Sequence, residues 1–340
     1  MAAERMRALS FDDAVLQYER VAVPLRPATL HPGYVAADAA RNPMLQPLFL
    51  SYQANGECWL HGLHVTDVPG TAMRDASSPY GYGGPLCSTD DRSFAAAAWD
   101  AYLEWMRGHG VVAEYIRFHP ALANERHYGG NVVDSREAVW IDLQQDDIAA
   151  GYAVRLRQGL KKAAGAGLVY EEAALGPLAR DFAEFYRAGM REIGADPFYL
   201  FADGYFEGLA ASGLARVGFC RSAAGAWLAA ALFLDGHGIR EYHLAATCAE
   251  GRKASASSFV LHEGGLAARA RGLRKLYLGG GSDARPDNAL LFFKSAFSPQ
   301  RLTYRTGWTV FDRRRYDELE QRFAPERAAH PERPIFHRIV

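Results

Sequence analysis

The sequence predicts an α/β protein built from two related modules, each a mixed β-sheet flanked by helices. Its 340 residues exceed the usual size of a single hydrophobic core. Hydrophobic residues make up 49% and charged residues 23%, as in soluble globular proteins. A third observation is that one order of elements, meander, small-residue loop, helix and strand, occurs twice along the chain.

The first module begins with two extended segments in QPLFLSYQANGECWLHGLHV, joined at Asn55-Gly56, a favoured hairpin turn. The loop YGYGGPL at 80–86 follows. Residues 88–91 then supply helix N-cap candidates for SFAAAAWDAYLEWMRGHG, in which apolar residues recur at helical spacing. A strand, VVAEYIRFHP, ends this module at Pro120.

The second module has three extended segments between 215 and 247, separated by Ala224-Gly225 and by residues 235–238. Serines at 255–258 can cap the following helix, and LRKLYLGGG is a strand that ends in glycines. Between the modules lie a basic helix leading to a strand and the amphipathic helix LARDFAEFYRAGMREIG.

After Pro299 the sequence predicts a strand, a charged helix and a tail too rich in proline to extend that helix. We therefore place module 1 at residues 1–148, completed by 301–340, and module 2 at 149–300.

Bulk properties exclude several classes of protein. The formal net charge of −1 argues against a protein that coats DNA. No segment has signal-peptide or membrane-spanning character, so we expect a soluble cytoplasmic protein. Four separated cysteines fit free, mostly buried thiols, and His61-x-x-His64 beside Cys58 is a weak zinc pattern better explained as strand side chains. We expect no metal.

Familiar catalytic motifs do not account for the chain. Gly165-Ala166-Gly167 follows a helix and precedes a strand, the reverse of a dinucleotide loop, and is better explained as a helix C-cap. The patterns GxxxxGK[ST] and GxSxG are absent. Adjacent carboxylates such as Asp90-Asp91 point in different directions and do not form a catalytic pair.

The informative stretch is LGGGSDARPDNALLFFKSAFSP at 278–299, in which Lys294 lies between Phe293 and Phe297. Together with YGYGGPL at 80–86, RLRQGLKKAAGAGL at 155–168 and REYHLAAT at 240–247, it resembles the FemABX family and the Fem-like branch of the GNAT acyltransferases. The resemblance spans residues 45–310, and the glycine triplet followed by DNxLxxFKxxF is its most specific part.

The resemblance implies two GNAT-like modules with a cleft between them. Members move an amino acid from charged tRNA to an amine, typically on a cell-wall precursor, and relatives use an acyl thioester. It implies no tightly bound cofactor, a donor that is aminoacyl-tRNA or acyl-CoA, and a small or nucleotide-linked amine acceptor. Amide formation needs an aligned amine and a stabilised oxyanion but no covalent enzyme intermediate.

By the same resemblance, Lys294 lies near the reacting centre, where its charge can stabilise an oxyanion or a phosphate, and Phe293 can stack on a base. The alternative is a lysine that extends along the surface to solvent. Tyr242 and His243 leave their strand on opposite faces, so only one can face the cleft. We favour Tyr242 as a binding hydroxyl; His243 is a hypothesis for the general base.

Further binding residues are predicted in both modules. The tyrosine loop offers a hydroxyl from Tyr80 or Tyr82 and close approach at Gly83, or else it is a loop held by buried aromatic rings. The predicted phosphate contacts are Arg157 and Lys161 in the basic helix, with Arg155 and Lys162 beside them, and Arg252 and Lys253 before the serine-rich helix start. The remaining predicted binding residues are Tyr199 and Asp287.

Two alternatives to an aminoacyltransferase stay open. The near-neutral charge and the absence of a long helical hairpin leave room for a coenzyme A or carrier-protein thioester donor, although no clear [QR]xxGx[GA] motif follows a strand. The other alternative is a Fem-like module that binds without catalysing.

Overall fold

A computed structural model describes residues 5–338 except 223, 284 and 286. The chain divides into two compact units. Unit 1 contains residues up to 23, 29–135 and 304 onward, and unit 2 contains residues 24–28 and 136–303. The segment 136–148 belongs to unit 2 because Ala138–Asp142 pair with a strand of that unit.

Unit 1 is a mixed sheet with helices packed on it. Its elements in chain order are β1 (Arg7–Ala8), α1 (Phe11–Arg20), α2 (Pro32–Ala39), β2 (Gln46–Ala54), β3 (Glu57–Asp67), β4 (Arg74–Ser77), β5 (Leu86–Cys87), α3 (Arg92–Gly108), β6 (Val111–Arg117), the start of β7 (Asn131–Asp142), most of β13 (Arg301–Val310), α10 (Arg313–Arg322) and α11 (Ala324–Ala329). The strand order is β1-β2-β3-β4-β6-β13, with β5 against β3. Strands β4 and β6 are parallel, so α3 provides the crossover between them.

The local predictions for unit 1 are confirmed. Asn55 and Gly56 join β2 to β3 with positive φ angles of 52° and 84°, as a tight hairpin turn requires. The side chain of Asp91 caps α3 by accepting from the amide of Ser93 at 2.7 Å. The tail does not extend α10, as expected, but it adds α11, where Pro325 occupies the first turn that tolerates proline.

Unit 2 has the same kind of sheet. Its elements are the end of β7, α4 (Val154–Gly165), β8 (Tyr170–Ala174), α5 (Ala179–Glu192), α6 (Asp203–Ala211), β9 (Ala215–Arg221), β10 (Trp227–Gly236), β11 (Ile239–Thr247), α7 (Ala249–Lys253), α8 (Ala256–Ala270), β12 (Lys275–Gly280) and α9 (Ala289–Ser295). The strand order is β7-β12-β11-β10-β9-β8, and β11 and β12 are its parallel pair. As in unit 1, a helical connection joins the parallel strands. The predicted meander at 215–247 is confirmed.

Short 3₁₀ helices lie between these elements at Ala28–Leu30, Asn124–His127, Gly176–Leu178 and Pro197–Tyr199. Gly167, with a φ of 71°, follows α4 in the left-handed conformation, which confirms the predicted helix C-cap. In the part of the chain that the structure describes, no helix is both long and apolar enough to cross a bilayer.

Candidate functional site

The lysine turn, which we define as residues 279–297, begins where β12 ends in glycines. Gly279 has a φ of 76° and lies at a register shift between β12 and β7. A β-carbon on Gly280 would lie 2.7 Å from the carbonyl oxygen of Glu137, and one on Gly281 would lie 2.5 Å from Oδ1 of Asn288. The glycine triplet is therefore required by a positive φ and by two close approaches within unit 2.

Asn288 organises the polar loop of the lysine turn, a role that sequence reasoning missed. Its Oδ1 accepts from the amide of Leu291 at 3.0 Å and so caps α9. Its Nδ2 donates to Ser282 Oγ at 2.8 Å and to Asp283 Oδ1 at 2.9 Å. The bond from Asn288 is the main cause that lowers the pKa of Asp283. An Asn placed immediately before a short apolar helix was the available signal.

Lys294 is buried, with 7% of its surface exposed, so it does not extend along the surface to solvent. Its Nζ donates to the carbonyl oxygen of Gly280 at 2.7 Å. Burial lowers the pKa of Lys294 to about 7, and the positive charge of Arg136 contributes to the decrease. Arg136 itself donates to the carbonyl of Gly281 at 3.1 Å. The turn thus holds a buried amine whose pKa lies well below the ordinary lysine value of 10.5.

The phenylalanines of the lysine turn have different environments. Phe293 is half-buried against the core of unit 2, with its ring 5.4 Å from that of Phe297 in an edge-to-face contact. Phe292 is 62% exposed, and the guanidinium of Arg155 lies 3.5 Å from its ring centroid. Stacking of a base on Phe293 stays a prediction, and Phe292 is more exposed to solvent than Phe293.

Tyr242 and His243 lie on opposite faces of β11, as alternation predicts. Tyr242 packs against the same core as Phe293, and burial raises its pKa. His243 Nε2 is hydrogen-bonded at 2.5 Å to the hydroxyl of Tyr205, a buried residue of α6. Tyr242 therefore shares a core with the lysine turn, whereas His243 is held by a helix on the other face.

The remaining predicted residues of unit 2 are spread over several elements. Arg252 is ion-paired with Glu192 and donates to the carbonyl of Thr247 at 2.8 Å. Tyr199 is half-buried beside Phe198. Arg252 is exposed as well as ion-paired, and the other exposed members of the set are Arg157 and Lys161 on α4, Lys253 at the end of α7, and Asp287 next to Asn288. A ligand contact by any of these residues stays a prediction.

The tyrosine–glycine loop, residues 80–86, is held in unit 1 through its backbone. Tyr80 donates its amide to Asp38 Oδ2 at 2.8 Å, and its carbonyl accepts from the hydroxyl of Tyr34 at 2.7 Å. Asn124 Nδ2 donates to the carbonyls of Gly83 and Pro85 at 2.9 and 3.0 Å. These bonds fix a segment that has little regular secondary structure.

The glycines of this loop serve backbone geometry and packing. Gly81 and Gly84 have positive φ angles of 85° and 86°. A β-carbon on Gly84 would lie 2.7 Å from the Phe118 ring, and one on Gly83 would lie 2.8 Å from Ser78 Cβ. The close approach predicted at Gly83 is therefore made to the protein's own side chains.

The two tyrosine side chains of the loop lie in different surroundings, and each is half-buried. The guanidinium of Arg41 is 5.6 Å from the ring of Tyr80. The ring of Tyr82 makes edge-to-face contacts with His119 at 5.1 Å and Tyr304 at 5.6 Å. The loop is thus held by aromatic contacts, and a binding role for either hydroxyl stays a prediction.

Unit 1 also contains a buried carboxyl cluster that the sequence did not indicate. Glu114 of β6 is buried and accepts from Tyr102 at 2.5 Å and from Tyr128 at 2.9 Å. The Tyr128 hydroxyl is also 2.7 Å from Oγ1 of Thr309. Burial raises the pKa of Glu114 to about 7, although both tyrosine bonds oppose this.

The weak zinc pattern corresponds to buried strand side chains. The His61 ring makes an edge-to-face contact with Trp59 and a tilted contact with Tyr102. His64 Nε2 donates to the carbonyl of Val35 at 2.8 Å on the other face of β3. Burial lowers the pKa of both histidines. No group of three or more metal-ligating side chains occurs among the described residues. All four cysteines are free, and three of them are buried.

Three solved structures are similar to this chain over most of its length. FemX matches with a TM-score of 0.71 and 13% identity, covering 94% of this chain and 99% of FemX. The C-terminal domain of a putative lysylphosphatidylglycerol synthetase from Agrobacterium fabrum matches at 0.59 and 18%, covering 94% and 97%. L-PGS from Bacillus licheniformis matches at 0.55 and 14%, covering 81% and 86%.

No family model matches the chain, and no curated protein has a significantly similar sequence. The structural matches include the Fem protein to which the sequence motifs pointed, and they extend over both units. The chain therefore has the α/β fold of FemX, which the two other structures share.

Proposed function

We propose that this protein is an N-acyltransferase that moves an aminoacyl group from charged tRNA to an amine acceptor, on a cell-wall precursor or a specialised metabolite. The fold similarity to FemX and the quoted motifs support this reaction class. The observation that carries the proposal is the buried amine of Lys294, held 2.7 Å from the Gly280 carbonyl. We place the reaction in the cytoplasm, where charged tRNA is made.

The reaction exchanges one bond for another at a carbonyl carbon. The acceptor nitrogen forms a bond to the aminoacyl carbon, the ester bond to the terminal ribose breaks, and the proton lost by the amine ends on the departing ribose oxygen. Negative charge develops on the carbonyl oxygen between these events. A fixed donor in a site with little water stabilises that charge more strongly than water does.

Lys294 is suited to be that donor in its charged form. Among the described residues, Gly280 is the hydrogen-bond partner of Nζ, so an ammonium would keep two further N–H groups for an oxyanion. We assign no proton transfer to His243, because its Nε2 is bonded to Tyr205. Tyr242 is proposed as a binding hydroxyl beside the lysine turn, and Tyr80 or Tyr82 as a contact of the acceptor.

The donor can be identified with tRNA charged with a mixture of radiolabelled amino acids and a panel of amine acceptors that includes nucleotide-linked muropeptide precursors. Transfer yields label that is recovered in the acceptor and stays there after mild alkali, because amides resist the treatment that cleaves aminoacyl esters. A parallel arm uses labelled acyl-CoA. Label from CoA alone would favour the thioester reaction, and inactivity in both arms would favour a non-catalytic binding module.

A further inference from the structure

Arg136 is a second cation that donates to the glycine triplet of the lysine turn. It lies on β7, two residues before Ala138, the register partner of Gly280, and its side chain is half-buried. Its Nη1 donates to the carbonyl of Gly281 at 3.1 Å, and Lys294 Nζ donates to the carbonyl of Gly280 at 2.7 Å. Two cationic side chains from different elements therefore hold successive carbonyls of one segment.

The Arg136 bond lies where the strand pairing of β12 ends. Gly281 follows Gly280, the last residue of β12, so the guanidinium continues the hydrogen bonding beyond the strand. The stem of Arg136 also lies along this segment, because a β-carbon on Gly280 would be 3.4 Å from Arg136 Cδ and 3.6 Å from Cγ. Arg136 therefore fixes the backbone next to the carbonyl that holds Lys294.

Arg136 is also the charged neighbour that acts on the Lys294 amine. Burial is the main cause that lowers the pKa of Lys294, and the positive charge of Arg136 is the other. The remaining charged groups of these segments have other partners or face solvent: Glu137 lies 3.8 Å from Arg301, Asp283 accepts from Asn288 and Arg285, Arg155 donates to the Phe292 carbonyl, and Asp287 is exposed. Arg136 thus affects both the position and the charge of the amine.

We propose that Arg136 is a positioning residue for the transfer reaction, because it fixes the backbone of the glycine triplet and with it the direction of the Lys294 amine. The inference rests on the proposed function for the reaction that Arg136 serves. An ammonium stabilises an oxyanion only when its N–H groups point to the place where the charge develops. A displacement of about 1 Å can cost about 100-fold in rate. The charge of Arg136 adds a signature that a purely structural arginine lacks, because a neighbouring cation favours the neutral amine.

NMR of the full chain labelled with ¹³C-lysine tests the effect on the amine without any substrate. Arg136→Met should raise the titration midpoint of the Lys294 signal by about 0.5 or more, because it removes the neighbouring charge. Arg136→Lys keeps a charge and should leave the midpoint close to that of the wild type. The matched control is Arg301→Met, since Arg301 also donates to backbone carbonyls, those of Ser298 and Gln300. This variant should not change the midpoint.

The single-turnover rate of transfer at pH 6, with the donor that the transfer assay identifies, tests the effect on position. The Lys294 amine is mostly charged at this pH in the wild type and in the variants, so a difference in rate reports its placement. Arg136→Met should lower the rate by about tenfold or more. Arg136→Lys, which keeps a cationic donor, should restore most of the rate, and Arg301→Met should transfer normally.

An unchanged midpoint or a normal rate in Arg136→Met would overturn the inference, and transfer by the wild type would leave the proposed function intact. A wild type that transfers from neither donor would overturn the reaction and the role of Arg136 in it, while the NMR result would still decide whether Arg136 acts on Lys294. Thermal melting establishes that the variants are folded. If Arg136→Met does not fold, Arg136→Gln replaces it, because it removes the charge but keeps a donor.

Discussion

Lys294 in unit 2 and Glu114 in unit 1 are both ionisable side chains removed from water, and burial brings the pKa of each to about 7 from opposite directions. Their partners differ. Glu114 accepts hydrogen bonds from two tyrosine hydroxyls in a packed aromatic cluster. Lys294 donates to one backbone carbonyl at the end of β12, where the glycine-rich loop begins. A shifted pKa therefore does not by itself identify a functional group, and the set of partners separates a structural carboxyl from a candidate for chemistry.

The largest effect should come from exchanging the two buried groups for neutral isosteres. Lys294→Met should lower the single-turnover rate of transfer by about 100-fold or more, because it removes the charge proposed to stabilise the oxyanion. Its melting temperature should stay equal or rise, since the variant no longer buries an amine. Glu114→Gln should do the reverse, with normal turnover per folded molecule and a loss of about 1–3 kcal/mol in stability.

Lys275→Met is the matched control, because Lys275 lies on β12, the strand that leads into the glycine triplet, but places its amine over the Trp140 ring at 3.4 Å. It should leave turnover unchanged. If Lys294→Met unfolded the protein while the remaining folded fraction turned over normally, Lys294 and Glu114 would both be structural. The proposed difference in role between them would then be wrong.

The pH dependence of stability should separate the two groups by sign. The pKa of Glu114 is raised from 4.5 to about 7 on folding, so its contribution to stability is present below pH 4.5 and is lost as pH rises to 7. The pKa of Lys294 is lowered from 10.5 to about 7, so folding excludes a proton and stability recovers as pH rises from 7 to 10.5. Each slope is roughly 1 kcal/mol per pH unit.

Urea denaturation across this pH range gives the free energy of unfolding of the wild type and of both variants. The slope of each variant against pH is then compared with the slope of the wild type. Glu114→Gln should remove the decrease in stability that occurs as pH rises to 7, and Lys294→Met should remove the increase in stability above pH 7. Slopes that are unchanged in the variants would show that neither group titrates as its burial indicates.

A smaller effect is expected when Glu114 loses one of its two hydrogen-bond donors. Tyr128→Phe removes one of the two donors and the contact with Thr309, and it should cost about 1 kcal/mol of unfolding free energy. Because that hydrogen bond favours the charged carboxylate, the decrease in stability with pH should extend to higher pH in this variant. Turnover per folded molecule should not change. A reduced turnover would place the cluster in the catalytic machinery.

Local signals predicted most of the fold. The Asn55-Gly56 turn, the Asp91 cap and the Gly167 helix end each depend on a few adjacent residues, so the sequence contains the whole of their physical cause. The candidate site was predicted less completely. The FK pair indicated Lys294, but its burial depends on how the glycine triplet and α9 pack together.

Glu114 could not be recognised from the sequence, because its partners are distant along the chain. Tyr102 and Tyr128 lie on a helix and a loop on either side of β6, and Thr309 comes from a strand almost 200 residues later. Alternation along VVAEYIR suggests an ordinary strand carboxylate, and only tertiary packing surrounds it. The same applies to Asp75, whose partners His337 and Arg338 come from the C-terminal tail.

The state of the Lys294 amine can be measured directly by NMR, because the chain contains only five lysines. In protein labelled with ¹³C-lysine, titration of the side-chain signals gives each pKa, and Lys294→Met assigns the signal of interest. We predict that this signal titrates with a midpoint of about 7. A midpoint near the ordinary lysine value of 10.5 would contradict the account, because Lys294 would then be an ordinary, fully charged lysine.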